Sequence, residues 1–408
     1  MIFASSGGFK RRMGFEATRY KIMTMYYTIK RGGAYDRFRM MLEALLERQC
    51  EIHCLSLAPI SMEHPLYHNH VVAFPFRKKD GLMAKCATLL LFPIYGLLIG
   101  WREKVDLFIA FGPLYGFLQA MPKITLGKPM VTLIRLDLSL GSQKSERFNP
   151  VHFISEVIEH IALLFSNRII TPNATMQEEI MKLTARWRNM DVKLLFNNIP
   201  HMTKPEPEDA AKIRREFGIP ENGRMMVTAG VLTPRKNFEI LIRSFSKLGR
   251  EDVFLVIAGD DSKRAGVHYR ESLKGLVKQL ALEKKVLWPG WITQEKLWKI
   301  FGAADLFVFP SLKEGMPNVL LEALGADLPC LGSRIPGIRD ILLHEELMFD
   351  PEDEIAVAAK IGRFFSDDQH SHYLMELCRE RKEKFTFDWK ENVFQLVTQR
   401  TASFDGPN

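Results

Sequence analysis

The sequence predicts an α/β protein of two doubly wound domains facing each other across a cleft. Three observations carry that prediction. At 408 residues the chain exceeds what one hydrophobic core usually serves. Short β-rich apolar runs alternate with helical stretches from about Tyr20, and the alternation starts afresh after the Pro-rich, charged segment "HMTKPEPEDAA" near residue 200. The strands are apolar almost throughout, which implies parallel sheets covered on both faces. The boundaries expected are 1–200 and 201–384.

In the first series, "YKIMTMYYTI" is a strand followed by "GGAYDRFRMMLEALLER", where Phe38, Met41, Leu42 and Leu45 recur at helical spacing. "CEIHCLSL", "VDLFIAFG", "PMVTLIRLDL" and "RIITPN" are further strands, the last preceded by the helical "VHFISEVIEHIALLF". Asn173 reads as the N-cap of the helix that begins "TMQEEIMKL". The second series runs from "RMMVTAGVL" through "VFLVIAGDD", "KVLWPGW" and "DLFVFPS" to "PCLGS", with helices between. In the tail, Phe387, Trp389 and Phe394 are placed to anchor a final helix.

Composition narrows the partners. The net charge of +8 suits nucleic acid, an anionic membrane surface or phosphorylated small molecules. Its clusters, such as Lys10-Arg11-Arg12 and Arg77-Lys78-Lys79, come without a nucleic-acid-reading motif, so nucleic acid is not expected. Five cysteines without paired spacing point to a reducing compartment, hence a cytoplasmic location. "GLMAKCATLLLFPIYGLLIGWREK" (81–104) is apolar for nearly a bilayer span, but Pro93 and two glycines interrupt it. It reads as a helix packed on a sheet, with attachment to the inner face of the membrane as the other reading. "EHPLYHNH" sets His64, His68 and His70 at chelating spacings and reads as a surface turn. Neither GxxxxGK[ST] nor GxGxxG is present, which argues against a kinase or dehydrogenase.

In doubly wound sheets, ligands bind beyond the C-terminal ends of the strands. After "MMVTAG" come Arg235 and Lys236, where a helix begins; two cations there suit a diphosphate, and equally an ordinary solvated helix start. Asp260 and Asp261 follow "VFLVIAG" and read as turn residues, since no third metal ligand is in view. After "DLFVFPS" comes "LKEGMPNVLLEAL". Gly315 permits close backbone approach to a ligand, and Pro317 is tolerated in a first helical turn. Val319, Leu320, Leu321, Ala323 and Leu324 make the helix apolar on nearly every side, yet it carries Glu322. A carboxylate there needs partners. Glu322 shares a face with Asn318, and either a ribose diol or a salt bridge to Arg or Lys would satisfy it.

"GVLTPRKNFEILIRSF", the run from "GWITQEKLWKIFGAADLFVFPS" to "GIRDIL", and "GGAYDRF" resemble the GT4-type retaining glycosyltransferases of the GT-B fold. The likeness is dense from Met225 to Leu342 and looser over Tyr20 to Pro200; its specific element is the E-x7-E pair Glu314 and Glu322. The resemblance implies a ribose on Glu322, a donor sugar at Glu314, and a loop from Gly315 through Met316, Pro317 and Asn318 to Val319 whose backbone meets sugar and diphosphate. It also implies a diphosphate on Lys236, a glycine turn at Gly32 and Gly33 facing donor and acceptor, and a chain end (385–408) that packs back on the first domain. No metal or other cofactor is expected. Two positions depart from the pattern. Val231 stands where the family shows Arg, leaving Arg235 to supply that charge, and Arg135 and Asp137 stand where it shows a His near the reacting carbon. Glu314, Lys236, Arg135 and Asp137 are therefore the candidate catalytic residues. The implied reaction is hexosyl transfer from a nucleoside diphosphate sugar to a glycan, lipid-linked or small-molecule hydroxyl, with retention, as in polysaccharide biosynthesis. An epimerase or phosphorylase on the same fold, or a catalytically silent assembly partner, are the alternatives.

Overall fold

Two all-parallel sheets follow one another along the chain in the computed structural model, which describes residues 20–27, 33–72, 82–135, 150–202, 206–261 and 268–399. The first contains β1 (Lys21–Tyr26), β2 (Glu51–Ser56), β3 (Tyr67–Val71), β4 (Leu107–Phe111), β5 (Met130–Leu133), β6 (Arg168–Thr171) and β7 (Asp191–Leu194), in the order β3-β2-β1-β4-β5-β6-β7. The second contains β8 (Arg224–Ala229), β9 (Val253–Ala258), β10 (Val286–Gly290), β11 (Leu306–Phe309), β12 (Cys330–Ser333) and β13 (Met348–Phe349), in the order β10-β9-β8-β11-β12-β13. The order reverses between β1 and β4 and between β8 and β11, and such switch points open crevices at the strand ends.

The first domain holds helices α1 (Gly33–Glu47), α2 (Leu82–Glu103), α3 (Pro113–Leu126), α4 (Pro150–Phe165) and α5 (Ala174–Thr184). The second holds α6 (Pro207–Glu216), α7 (Phe238–Ser246), α8 (His268–Gln279), α9 (Gln294–Ala303), α10 (Asn318–Gly325), α11 (Pro336–Leu342), α12 (Glu354–Ser366) and α13 (Asp368–Phe385). In α1, Phe38, Met41, Leu42 and Leu45 are fully buried, the stripe their spacing implies. Asn173 caps α5, its side chain accepting the Met176 N–H at 2.8 Å. A last helix, α14 (Trp389–Thr398), returns to the first domain, where Trp389, Val393 and Val397 join the core. Arg48 pairs with Glu391 at 2.7 Å, and Arg168 donates to the Leu396 and Gln399 carbonyls, fastening the helix there.

One sequence reading needs correction. His68 and His70 are not in a surface turn but on β3, a parallel edge strand. "YHNHV" has no apolar alternation because an edge strand with little to bury needs none. On the neighbouring β2, burial pushes the His53 imidazole down to about 4. The helix expected over 81–104 is α2, packed on the sheet along one face. Phe92, Gly96, Ile99 and Gly100 face inward, whereas Leu90, Ile94, Leu98 and Trp101 are exposed. Asp137, Gly32, the basic clusters at 10–12 and 77–79, and 400–408 lie outside the described residues.

Candidate functional site

β8 ends beside Gly230, whose φ of +153° suits glycine. The Lys236 side chain runs across this position: a Cβ on Gly230 would stand 3.3 Å from its Cε. Lys236 comes from a tight 3-10 turn, Pro234–Lys236, and is 9% exposed. Its ammonium donates to Glu314 Oε1 at 2.7 Å and lies 4.5 Å from the centre of the Phe309 ring. The Ser311 hydroxyl donates to the same carboxylate oxygen at 3.0 Å. Arg235 stands 3.4 Å from the other oxygen while donating to the Lys313 carbonyl at 2.6 Å. Burial pushes the Lys236 pKa down and Glu314 opposes the shift. Two cations and one carboxylate therefore sit together at the ends of β8 and β11.

Glu322 lies in the first turns of α10, among buried Leu320, Leu321, Ala323 and Leu324. Its partners are neutral: Gln294 donates to one oxygen at 3.2 Å and the Trp298 indole to the other at 3.3 Å, both from α9. The salt bridge to Arg or Lys that the sequence allowed is not formed among the described residues. Burial pushes the Glu322 pKa up, against those two hydrogen bonds and the more distant Arg37.

The first domain grips the loop that joins the two groups. Asn173 donates to the Gly315 carbonyl at 2.8 Å. Asn197, just after β7, donates to the Met316 carbonyl at 3.1 Å and to Asn318 Oδ1 at 2.8 Å. Arg135, beyond β5, donates to Asn197 Oδ1 at 2.6 Å, and its carbonyl comes within 2.9 Å of where a Gly315 Cβ would be. Burial, then Arg37, push the Arg135 guanidinium down to about 9. Arg37, buried at 3% exposure, donates twice to Asn198 and at 3.4 Å to Asn318, and stacks 5.3 Å over Trp389. A Cβ on Gly33 would stand 3.1 Å from Asn318 Nδ2, so the start of α1 touches the start of α10. On the other side, Gly337 of α11 packs on the Gly315 carbonyl.

The structure thus gathers Gly33, Arg135, Gly315, Met316, Pro317, Asn318 and Glu322 along one seam, with Arg235, Lys236 and Glu314 at its end. Val319 is half-buried at the start of α10, and Val231 is exposed. Asp260 pairs with Arg270 at 3.0 Å and Asp261 accepts the Arg270 N–H, so both serve a turn and a helix start. Sequence reading missed Arg37, Asn197, Asn198, Gln294 and Trp298. The adjacent asparagines of "KLLFNNIP" were visible as polar residues directly after a strand.

Residues 209–381 match the family model described as glycosyl transferases group 1, a segment that contains Lys236, Glu314 and Glu322. The matched segment spans most of the second domain. Among curated relatives, an uncharacterized glycosyltransferase of Methanocaldococcus jannaschii is 28% identical over 64% of this chain and 66% of its own. The lipopolysaccharide core biosynthesis glycosyltransferase LpsD of Rhizobium meliloti is 30% identical over 45% of this chain and 51% of its own. The matched region thus spans between about half and two thirds of these relatives' length. Among solved structures, Anabaena HepE in complex with UDP and glucose superposes with a TM-score of 0.75, covering 94% of this chain and 100% of that one at 18% identity. That likeness is one of fold, and the two facing sheets are those of GT-B glycosyltransferases.

Proposed function

We propose that the protein transfers a sugar from a nucleoside diphosphate sugar to a hydroxyl acceptor, with retention of anomeric configuration. The observation that carries this reading is the Lys236, Arg235 and Glu314 cluster at the switch point of the second sheet, one short loop from buried Glu322. As the glycosidic bond breaks, negative charge grows on the departing nucleoside diphosphate. A largely desolvated ammonium already in place stabilises that charge more than a solvated one would. Lys236 then exchanges part of its contact with Glu314 for phosphate oxygens, and Arg235 and the first amides of α10 add to the same field. Glu314, released in part, accepts from sugar hydroxyls. The ribose diol donates to Glu322, displacing or supplementing its two neutral donors. The acceptor, a glycan or lipid-linked hydroxyl, enters from the first domain past Gly33 and Arg135. Same-face attack, with the leaving phosphate oxygen taking the acceptor proton, accounts for retention without a metal ion.

Glu322→Ala is expected to raise the donor dissociation constant about 10- to 100-fold, the range for one or two hydrogen bonds to a charged group. Calorimetry with UDP- and GDP-sugars checks this, and an unchanged constant would remove the ribose role. The pH dependence has a definite sign. The folded pKa of Glu322 is raised, so its ionised, hydrogen-bond-accepting form is lost while pH is still above the ordinary value of about 4.3. Donor affinity should therefore fall early on the acid side in the wild type, and Glu322→Gln should lack that limb.

The same proposal includes peripheral attachment to an anionic membrane, where lipid-linked acceptors reside. α2, α3 and α4 pack side by side and expose Leu90, Leu98, Trp101, Ile124, Phe153 and Ile154, with Arg102 and Lys123 in the last turns of α2 and α3. The segment Cys86–Glu103 is long and apolar enough to cross a bilayer by composition, but the rest of its helix face is held by the sheet, which favours lying on the surface. Co-sedimentation with vesicles containing anionic lipid should exceed that with neutral ones and drop in Leu98→Ser/Trp101→Ser. Indifference to lipid charge and salt would count against attachment.

A further inference from the structure

The geometry points to a divalent transition-metal site, of the zinc class, on the edge of the first sheet, ligated by Glu51, His53 and His68. Side chains two apart on a strand share a face, so Glu51 and His53 project together from β2. The parallel register sets His53 opposite His68 on β3, which brings the third ligand from the edge strand. Glu51 Oε1 lies 3.3 Å from His68 Nε2 and 3.5 Å from His53 Nε2, and all three donor atoms fall within 4.8 Å of one another. Around a tetrahedral zinc with bonds of about 2.0–2.1 Å, neighbouring donors stand roughly 3.4 Å apart. The cluster therefore needs little movement to close on an ion.

The surroundings complete the case. His53 is 2% exposed, and its Nε2 has no hydrogen-bond partner although it faces the Glu51 carboxylate. A cation between the two atoms gives that orphaned nitrogen a partner. His53 Nδ1 lies 3.1 Å from His70 Nε2; when Nδ1 carries the proton and donates to His70, the Nε2 lone pair is left free for the ion. Metal-bound histidines are commonly oriented by such an outer hydrogen bond. The second Glu51 oxygen faces Lys21 Nζ at 3.5 Å, so one carboxylate oxygen is held while the other points at the imidazoles. The exposed His68 leaves a fourth position to water. Glu51 opens β2, whereas the cleft lies beyond the opposite, C-terminal ends of the strands. The ion's role is accordingly to fasten β3 to the sheet, apart from transfer chemistry.

The full chain, stripped with chelator and dialysed, is titrated with CoCl2 and with ZnCl2, with MgCl2 as the hard-ion control. The expected result is one cobalt per chain with the visible bands of a four-coordinate ion, and a thermal shift with zinc but not magnesium. His53→Gln risks the fold because the ring is buried, so the decisive variants are Glu51→Gln and His68→Ala, each expected to bind at least tenfold more weakly and to lose the bands. Undiminished binding in Glu51→Gln/His68→Ala, equal binding of magnesium, or no one-to-one binding by the wild type would overturn the assignment.

Discussion

Lys236→Ala is expected to lower the transfer rate about 100- to 1,000-fold, the loss typical of removing one preorganised group aimed at developing charge. Arg235→Ala should cost far less. The difference comes from burial. The Lys236 ammonium is nearly enclosed, between the Glu314 carboxylate and the Phe309 ring, where its charge is screened weakly. The Arg235 side chain is 48% exposed and spends part of its donor set on the Lys313 carbonyl, so water screens it. Removing Lys236 also leaves the Glu314 carboxylate with only Ser311 and the more exposed Arg235 as partners, which sets repulsion against an incoming diphosphate. Single-turnover kinetics with a saturating donor separates the chemical step from binding. Equal losses in the two variants, or a larger loss for Arg235→Ala, would show that the phosphate site is misplaced here.

Gly337→Ala should lower both stability and donor binding, against the ordinary trend for that exchange in a helix. In a helical turn, Ala is favoured over Gly by roughly 0.5–1 kcal/mol. At this position, however, the added Cβ would stand 2.1 Å from the Gly315 carbonyl oxygen and 2.7 Å from that of Glu314. Both are backbone atoms, so no rotamer change relieves the overlap; α11 or the loop must move. Overpacking of this kind costs about 1–3 kcal/mol, and each kcal/mol lowers the melting temperature of a domain this size by about 2–4 °C. The loop that moves carries Glu314 and leads into Asn318, so donor affinity should drop by more than the stability loss alone explains. Calorimetric melting combined with donor titration below the melting range checks both effects. A variant as stable as the wild type would mean that the loop gives way freely, which contradicts its grip by Asn173 and Asn197.

What could be read from the chain alone follows the range of the interactions involved. Strands such as β9 and β11 are buried on both faces and announce themselves as apolar runs. Glu314 and Glu322 fall within one short segment, and a carboxylate inside an apolar helix is conspicuous without any structure. The Asn173 cap is equally local. Its second task, holding the Gly315 carbonyl, depends on a residue 142 positions away and leaves no periodic trace. The same holds for Asn197, reaching Met316 over 119 positions, and for Lys236 with Glu314 over 78. Gln294 and Trp298 were invisible as partners of Glu322 because their helix reads as an ordinary amphipathic one. β3 failed for a different reason: a polar edge strand is defined by its neighbour, and "YHNHV" carries no hydrophobic alternation of its own.

The return of α14 to the first domain has a consequence for how the molecule is made. Trp389, Val393 and Val397 fill the core beneath α1, yet they are synthesised after every strand of the second sheet. The domain that leaves the ribosome first therefore waits with an incomplete core until the second has been translated. Its sheet is assembled early, but its final closure and the seating of Arg37 over Trp389 come last. The seam between the domains is thus completed only after the second domain can already have folded.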